Sequence, residues 1–97
     1  MADFPPTHPG QVLRHDFLEP LGMSQYALAK ALDVPQVRVS QIVNCKRAVS
    51  PDTALRLSRY FGTTAEFWLG MQASYDLEIA RDQSSALIKS RVRPRAA

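Results

Sequence analysis

One stretch constrains this chain more than any other: Ser24 to Asn44, SQYALAKALDVPQVRVSQIVN. Two short helical patterns lie back to back in it, with only Asp33 and Val34 between them. In the first, Ala27, Leu28, Ala31 and Leu32 recur at helical spacing. Ser24 precedes it as an N-cap, since its hydroxyl accepts from the orphan amides of a first turn. The second opens with Pro35, whose fixed φ and missing N–H suit a first helical position. Its apolar face is Val39, Ile42 and Val43. Its other face carries Val37, Ser40, Gln41 and Asn44, with Gln36 and Arg38 on the flanks. That face ends in amides and hydroxyls and has almost no charge. An amide donates and accepts at once, which is what the edge of a base pair presents. Two helices on a tight turn, the second amide-rich, make a helix-turn-helix.

The distribution of charge agrees with that reading. The net charge is only +3 over 97 residues. Residues 1–23 set Arg14 against Asp3, Asp16 and Glu19, a net −2. Residues 24–59 set Lys30, Arg38, Lys46, Arg47, Arg56 and Arg59 against Asp33 and Asp52, a net +4. Residues 60–88 set Arg81 against Glu66, Asp76, Glu78 and Asp82, a net −3, and Lys89, Arg91, Arg93 and Arg95 leave the end at +4. Positive charge collects on the helix pair and the tail, and phosphate binding needs such a local excess rather than a high total.

The length suits one small domain with a single modest core. No apolar run approaches a membrane span and the N-terminus lacks a signal-peptide pattern, so the expected location is the cytoplasm. Cys45 is the one cysteine, which rules out an internal disulfide. Catalysis fails on inventory. His15 and Glu19 share a helix face, but two groups are too few for a metal site. Cys45 has no histidine near it in sequence, and no glycine-rich phosphate loop is present. No metal, cofactor or catalytic residue is expected.

In chain order, residues 1–8 with Pro5-Pro6 read as a flexible arm. His8-Pro9-Gly10 opens a first helix over about 9–18, with Val12, Leu13 and Phe17 inward and Pro20 and Gly22 ending it. Beyond the helix pair, Ser50-Pro51-Asp52 is a dense helix start, with an N-cap, a first-position proline and an acid at the positive dipole end. Ala54, Leu55, Leu57, Ser58 and Phe61 supply that helix's packing face, and Gly62 suits its C′ position. Thr63 to Glu66 has capping-box spacing and opens a fifth helix to about Ala80. Phe67, Trp68, Met71, Tyr75 and Ile79 form its apolar stripe. Residues 81–97 lose the periodicity, turn basic and read as a disordered tail. The expected fold is all-α, five short helices around one core, with the domain over 9–80.

The residues also resemble a known family. Ser24-Gln25 and Leu28-Ala29, with apolar Leu32, Val34, Val39 and Ile42, are similar to the Xre/Cro-type, lambda-repressor-like helix-turn-helix. Ala29 is there the small residue that lets the helices approach. The match extends over Thr7 to about Glu78. HPGQVLRHDFLEPLGMSQYALAKALDVP at 8–35 and IVNCKRAVSPDTALRLSRYFGTTAEFWLGMQASYDLE at 42–78 resemble HigA-type antitoxins, the partners of HigB-type toxins. Two positions depart from the pattern: Asp33 stands where the family often has glycine in the turn, and Cys45 where it usually has glycine after the second helix. Glycine adopts a positive φ at no steric cost, and other residues do not. The resemblance implies a homodimeric antitoxin that binds operator DNA, represses its own operon and neutralises a RelE-like mRNA-cleaving toxin.

The residue-level expectations follow. Gln36, Val37, Ser40 and Gln41 are candidates for reading bases: glutamine pairs with adenine and valine touches a thymine methyl. Ser24, Gln25, Arg38, Asn44, Lys46 and Arg47 are candidates for phosphate contact, which positions a protein without reading sequence. Trp68, Met71, Tyr75 and Ile79 are candidates for a dimer seam, although such a stripe also serves as core. Two other readings stay open on sequence alone: a stand-alone Xre-family regulator with no toxin, and a protein-interaction module on the same fold.

Overall fold

The computed structural model describes residues 7–96. The flexible arm expected at 1–8 thus lies outside the described residues over 1–6. Its last residue, His8, is buried and belongs to the fold. Five helices and no strand occur among the described residues. α1 covers 9–21 as three abutting pieces, Pro9–Val12, a π-helical turn Leu13–Leu18, and Glu19–Leu21. α2 is Gln25–Leu32, α3 is Gln36–Val43, α4 is Pro51–Phe61 and α5 is Ala65–Arg91.

Local chemistry explains most of the boundaries. Pro9 starts α1, and the Gly10 N–H donates to the Nδ1 of the cap residue His8 at 2.9 Å. Ser24 accepts from the Ala27 N–H at 3.0 Å, and Ser50 from the Thr53 N–H at 3.3 Å. Gly22 (φ 62°) and Gly62 (φ 77°) end α1 and α4 in the left-handed region. Four boundaries differ from the sequence pattern, three of them at a proline or a threonine and the fourth at the end of α5. Pro20 does not end α1, because the helix widens to a π turn before it and Glu19 donates five residues back, to Arg14 O. A wider turn moves the carbonyl with which a proline ring collides. Pro35 is the N-cap of α3 rather than its first residue. The cap of α5 is Thr64, which accepts from the Phe67 N–H at 3.0 Å, while Thr63 accepts from the Trp68 indole N–H at 2.8 Å.

α2 and α3 pack as the helix pair, α1 lies against α3 and α5, α2 reaches α4, and α4 lies against α5. Leu13, Leu18, Leu28, Ala29, Leu32, Val39, Ile42, Val43, Val49, Ala54, Leu57 and Trp68 form the core. Trp68 is its largest member, fully buried, with the Phe17 ring 5.1 Å away. Leu55 is 62% exposed, contrary to the packing face read from sequence, and buried Thr53 takes the inward place. Ala31 is likewise exposed, since the buried side of α2 rotates to bring in Ala29.

α5 does not stop near Ala80. It continues to Arg91, so the tail read as disordered is helical over 81–91. Loss of amphipathic periodicity there removes a packing face, not helix propensity: 81–91 contain neither proline nor glycine, and Lys89 and Arg91 sit favourably at the C-terminal dipole end. Leu77, Leu87, Ile88 and Val92 stay exposed along this part of the chain.

Candidate nucleic-acid interface

α3 is seated by one face and open on the other. Val39, Ile42 and Val43 are all buried. Gln36, Val37, Gln41 and Asn44 are exposed, and Ser40 is half-buried with its Oγ accepting from Asn44 Nδ2 at 3.4 Å. Val37 is 57% exposed, so its side chain is open to contact on that face. The structure thus brings the four expected base readers onto one helix face, with Asn44 among them.

Both ends of α3 are shaped by the same device. After α2, the Asp33 N–H donates to Lys30 O at 3.2 Å and the Val34 N–H to Ala29 O at 3.0 Å. After α3, the Cys45 N–H donates to Ile42 O at 3.0 Å and the Lys46 N–H to Gln41 O at 2.7 Å. Each pair is a Schellman closure, which needs a left-handed residue at C′. Asp33 (φ 57°) and Cys45 (φ 61°) are those residues. The two departures from the family's glycines therefore fall at the two described non-glycine positions with positive φ.

The loop behind α3 carries Lys46 and Arg47 outward, both exposed. It is held from beneath. Val49 is buried, and its N–H donates to Gln72 Oε1 at 2.9 Å, while Gln72 Nε2 donates to Asp76 at 2.9 Å. Gln72 is 6% exposed and escapes sequence reading, since a glutamine amid a helical apolar stripe carries no sign of a partner 23 positions away. His8 lies in the same region, its ring edge-on to Tyr75 at 4.9 Å. Burial holds its imidazole below the ordinary histidine value, against the opposing pull of the Asp76 charge and the Arg47 backbone.

The expected phosphate contacts divide. Ser24 is exposed but its hydroxyl caps α2, and Gln25 beside it is half-buried. Arg38 does not point freely outward. Its Nη1 donates to Asp52 Oδ2 at 2.9 Å, and Arg56 Nε donates to the same oxygen at 2.9 Å. Arg56 Nη1 also donates to Leu32 O at 2.8 Å and Asp33 O at 3.1 Å, tying the turn before α3 to α4. The two guanidiniums, Arg56 foremost, hold the Asp52 carboxyl below its ordinary value.

Of the expected dimer residues, Trp68 is removed: a side chain with no exposed surface cannot meet a partner. Met71, Tyr75 and Ile79 are half-buried. Met71 and Tyr75 line a shallow apolar groove with Val12, Phe67, Gly70 and Ser74. No group of three or more metal-ligating side chains occurs among the described residues, and no described helix is long and apolar enough to cross a membrane.

The helix-turn-helix family model matches residues 15–68. The chain is 37% identical to "Antitoxin HigA-1" of Vibrio cholerae, covering 80% of this chain and 73% of that one. It belongs to the HigA-type antitoxin family of helix-turn-helix proteins. That family is one of DNA-binding antitoxins and regulators, not of enzymes. The chain is also 47% identical to "Virulence-associated protein I" of Dichelobacter nodosus, over 88% of this chain and 79% of the relative. Among solved structures it is similar to the Pseudomonas aeruginosa antitoxin HigA with the higBA promoter, at 41% identity and a TM-score of 0.91, over 94% of this chain and 99% of that one.

Proposed function

We propose that this protein is a DNA-binding antitoxin that, as a homodimer, binds an operator in its own promoter, represses its operon and neutralises a RelE-like mRNA-cleaving toxin. The observation that carries the DNA reading is the outward face of α3, uncharged and amide-tipped, seated by Val39, Ile42 and Val43 and flanked by exposed Lys46 and Arg47. Gln36, Val37, Ser40 and Gln41 read base edges, Gln36 and Val37 from the N-terminal turn of that helix and Ser40 and Gln41 from its second half. Ser24, Gln25, Asn44, Lys46 and Arg47 meet phosphates and set the register. One such unit reads few base pairs, so specificity calls for two half-sites about 34 Å apart and hence for a dimer. Met71, Tyr75 and Ile79 on α5 supply the seam. The toxin half of the proposal is supported by the resemblance to the Vibrio cholerae antitoxin.

The test is fluorescence anisotropy on the protein's own promoter DNA and on random duplex, followed by titration with the product of the neighbouring reading frame. Gln36→Ala is expected to cost roughly 1–3 kcal/mol on the promoter and to relax preference at one base pair per half-site. Arg47→Ala is expected to weaken both duplexes alike and to reduce the salt slope by about one. A wild type that does not distinguish the promoter from random DNA would sink the operator reading. Promoter binding with no toxin-like neighbour to capture would leave a solitary regulator.

A further inference from the structure

The Arg38–Asp52–Arg56 cluster lies beside the reading helix, and the functional reading does not use it. Arg38 is the one cation on α3 itself, one residue from exposed Val37 and three from Gln41. A guanidinium there is placed to meet the DNA backbone, yet it is turned toward α4 and bonded to Asp52 at 2.9 Å, with its side chain only 28% exposed. Asp52 sits in the first turn of α4, and its Oδ2 receives both guanidiniums. Arg56 has further acceptors in Leu32 O and Asp33 O, so it has a place in the fold without Asp52. Arg38 has no other side-chain partner among the hydrogen bonds of the described residues. The carboxylate is thus the group that decides where the Arg38 charge points.

Resting on the DNA reading above, we infer that Asp52 is a positioning residue that sets the protein's overall DNA affinity by withholding Arg38 from phosphate. The device acts on affinity and not on sequence choice, because a phosphate contact is indifferent to the base. A released Arg38 adds one neutralised phosphate, which steepens the dependence of log affinity on log salt by about 0.9. With Arg38 withheld, the chain holds random DNA less tightly and more of it stays free to find a specific site. Exposed ion pairs are weak in themselves. Here two donors converge on one oxygen, and the alternative position for Arg38 is water until DNA arrives.

The experiment measures binding of the full chain to random-sequence duplex and to its own promoter duplex across a salt series, for wild type, D52N, D52E, R38Q and D52N/R38Q, with circular dichroism and thermal melts for each. D52N is expected to bind both duplexes about fivefold to tenfold tighter near 0.1 M salt, with a slope steeper by about 0.9. D52E keeps the carboxylate and is expected to keep the wild-type slope. R38Q is expected to keep it too, and D52N/R38Q to return to it. A D52N gain that persists in the R38Q background would show a general loss of negative charge and overturn the inference. So would a gain confined to the promoter, an unchanged D52N slope, or an R38Q slope shallower by about 0.9, which would mean that Arg38 already holds phosphate in the wild type. Should D52N melt before binding is measured, the R38Q slope decides alone. A wild type that binds neither duplex would overturn the DNA reading and this inference together, whereas wild-type binding with an unchanged D52N overturns this inference only.

Discussion

The turns before and after α3 share one hydrogen-bond pattern and differ in what stands behind them. The turn at Asp33 is braced by a long side chain: Arg56 reaches from α4 to Leu32 O and Asp33 O. The turn at Cys45 is braced by close backbone contact. A Cβ on Gly10 would lie 1.8 Å from Ile42 O, so α1 and the end of α3 touch main chain to main chain. The loop that follows is then pinned through the Val49 N–H and Gln72. Side-chain bracing is adjustable and tolerates substitution; backbone contact does not. The side of α3 that leads to Lys46 and Arg47 is therefore expected to be the more rigid one.

The contrast predicts Gly10→Ala as the most damaging small change in the protein. No rotamer relieves a clash between a Cβ and a carbonyl, so α1 must lift from α3. A loss of about 3 kcal/mol or more is expected in a denaturant melt, or failure to fold. A melt within about 1 kcal/mol of wild type would show that the second turn is no more rigid than the first. Gln72→Ala tests the same side less harshly. It orphans the Val49 N–H beneath a buried side chain and is expected to cost about 1–3 kcal/mol. Faster hydrogen exchange at 46–50, with α2 unchanged, is the accompanying sign.

Substitution by glycine sharpens the comparison in the other direction. A left-handed residue other than glycine costs roughly 1–2 kcal/mol, and glycine returns about half of that through unfolded-chain entropy. Cys45→Gly is expected to stabilise by about 0.5–1 kcal/mol. Asp33→Gly is expected to gain less, because aspartate visits this region more readily than cysteine. Equal gains would mean that the two turns carry equal strain.

The smallest expected effect is that of pH, through His8. Its Nδ1 accepts the Gly10 N–H, which requires the unprotonated ring. Burial also depresses its folded-state value below that of an unfolded histidine, about 6.5. The contribution is complete above the unfolded value and is lost as pH falls below it toward the folded one, by at most about 1.4 kcal/mol per pH unit. Melts at pH 7 and pH 5 check this. His8→Asn keeps a cap acceptor that does not titrate and is expected to flatten the dependence. A histidine-like pH dependence surviving in that variant would place its origin elsewhere.

Elements whose signals are local were legible in the sequence. Ser24 and Ser50 cap the helices they precede, Pro9 opens α1, and Gly22 and Gly62 close the helices they follow. Val39, Ile42 and Val43 face inward, which leaves the amide tips of α3 outward. Each of these depends on neighbours within a turn, and helical periodicity reports them directly. Gly10 is different: its lack of a side chain answers to a carbonyl of another helix. The same holds for Gln72 and the Val49 amide, for Arg38 and Asp52, and for Trp68, which a stripe of apolar residues cannot assign to core or seam. α5 beyond Ala80 is not legible in the sequence because periodicity records burial, and a helix that buries nothing leaves no such record. Sequence alone determined which face of α3 is offered, since that follows from 3.6 residues per turn. Only the tertiary structure decided how firmly that face is held and which of its charges are free, since both depend on groups brought together across helices.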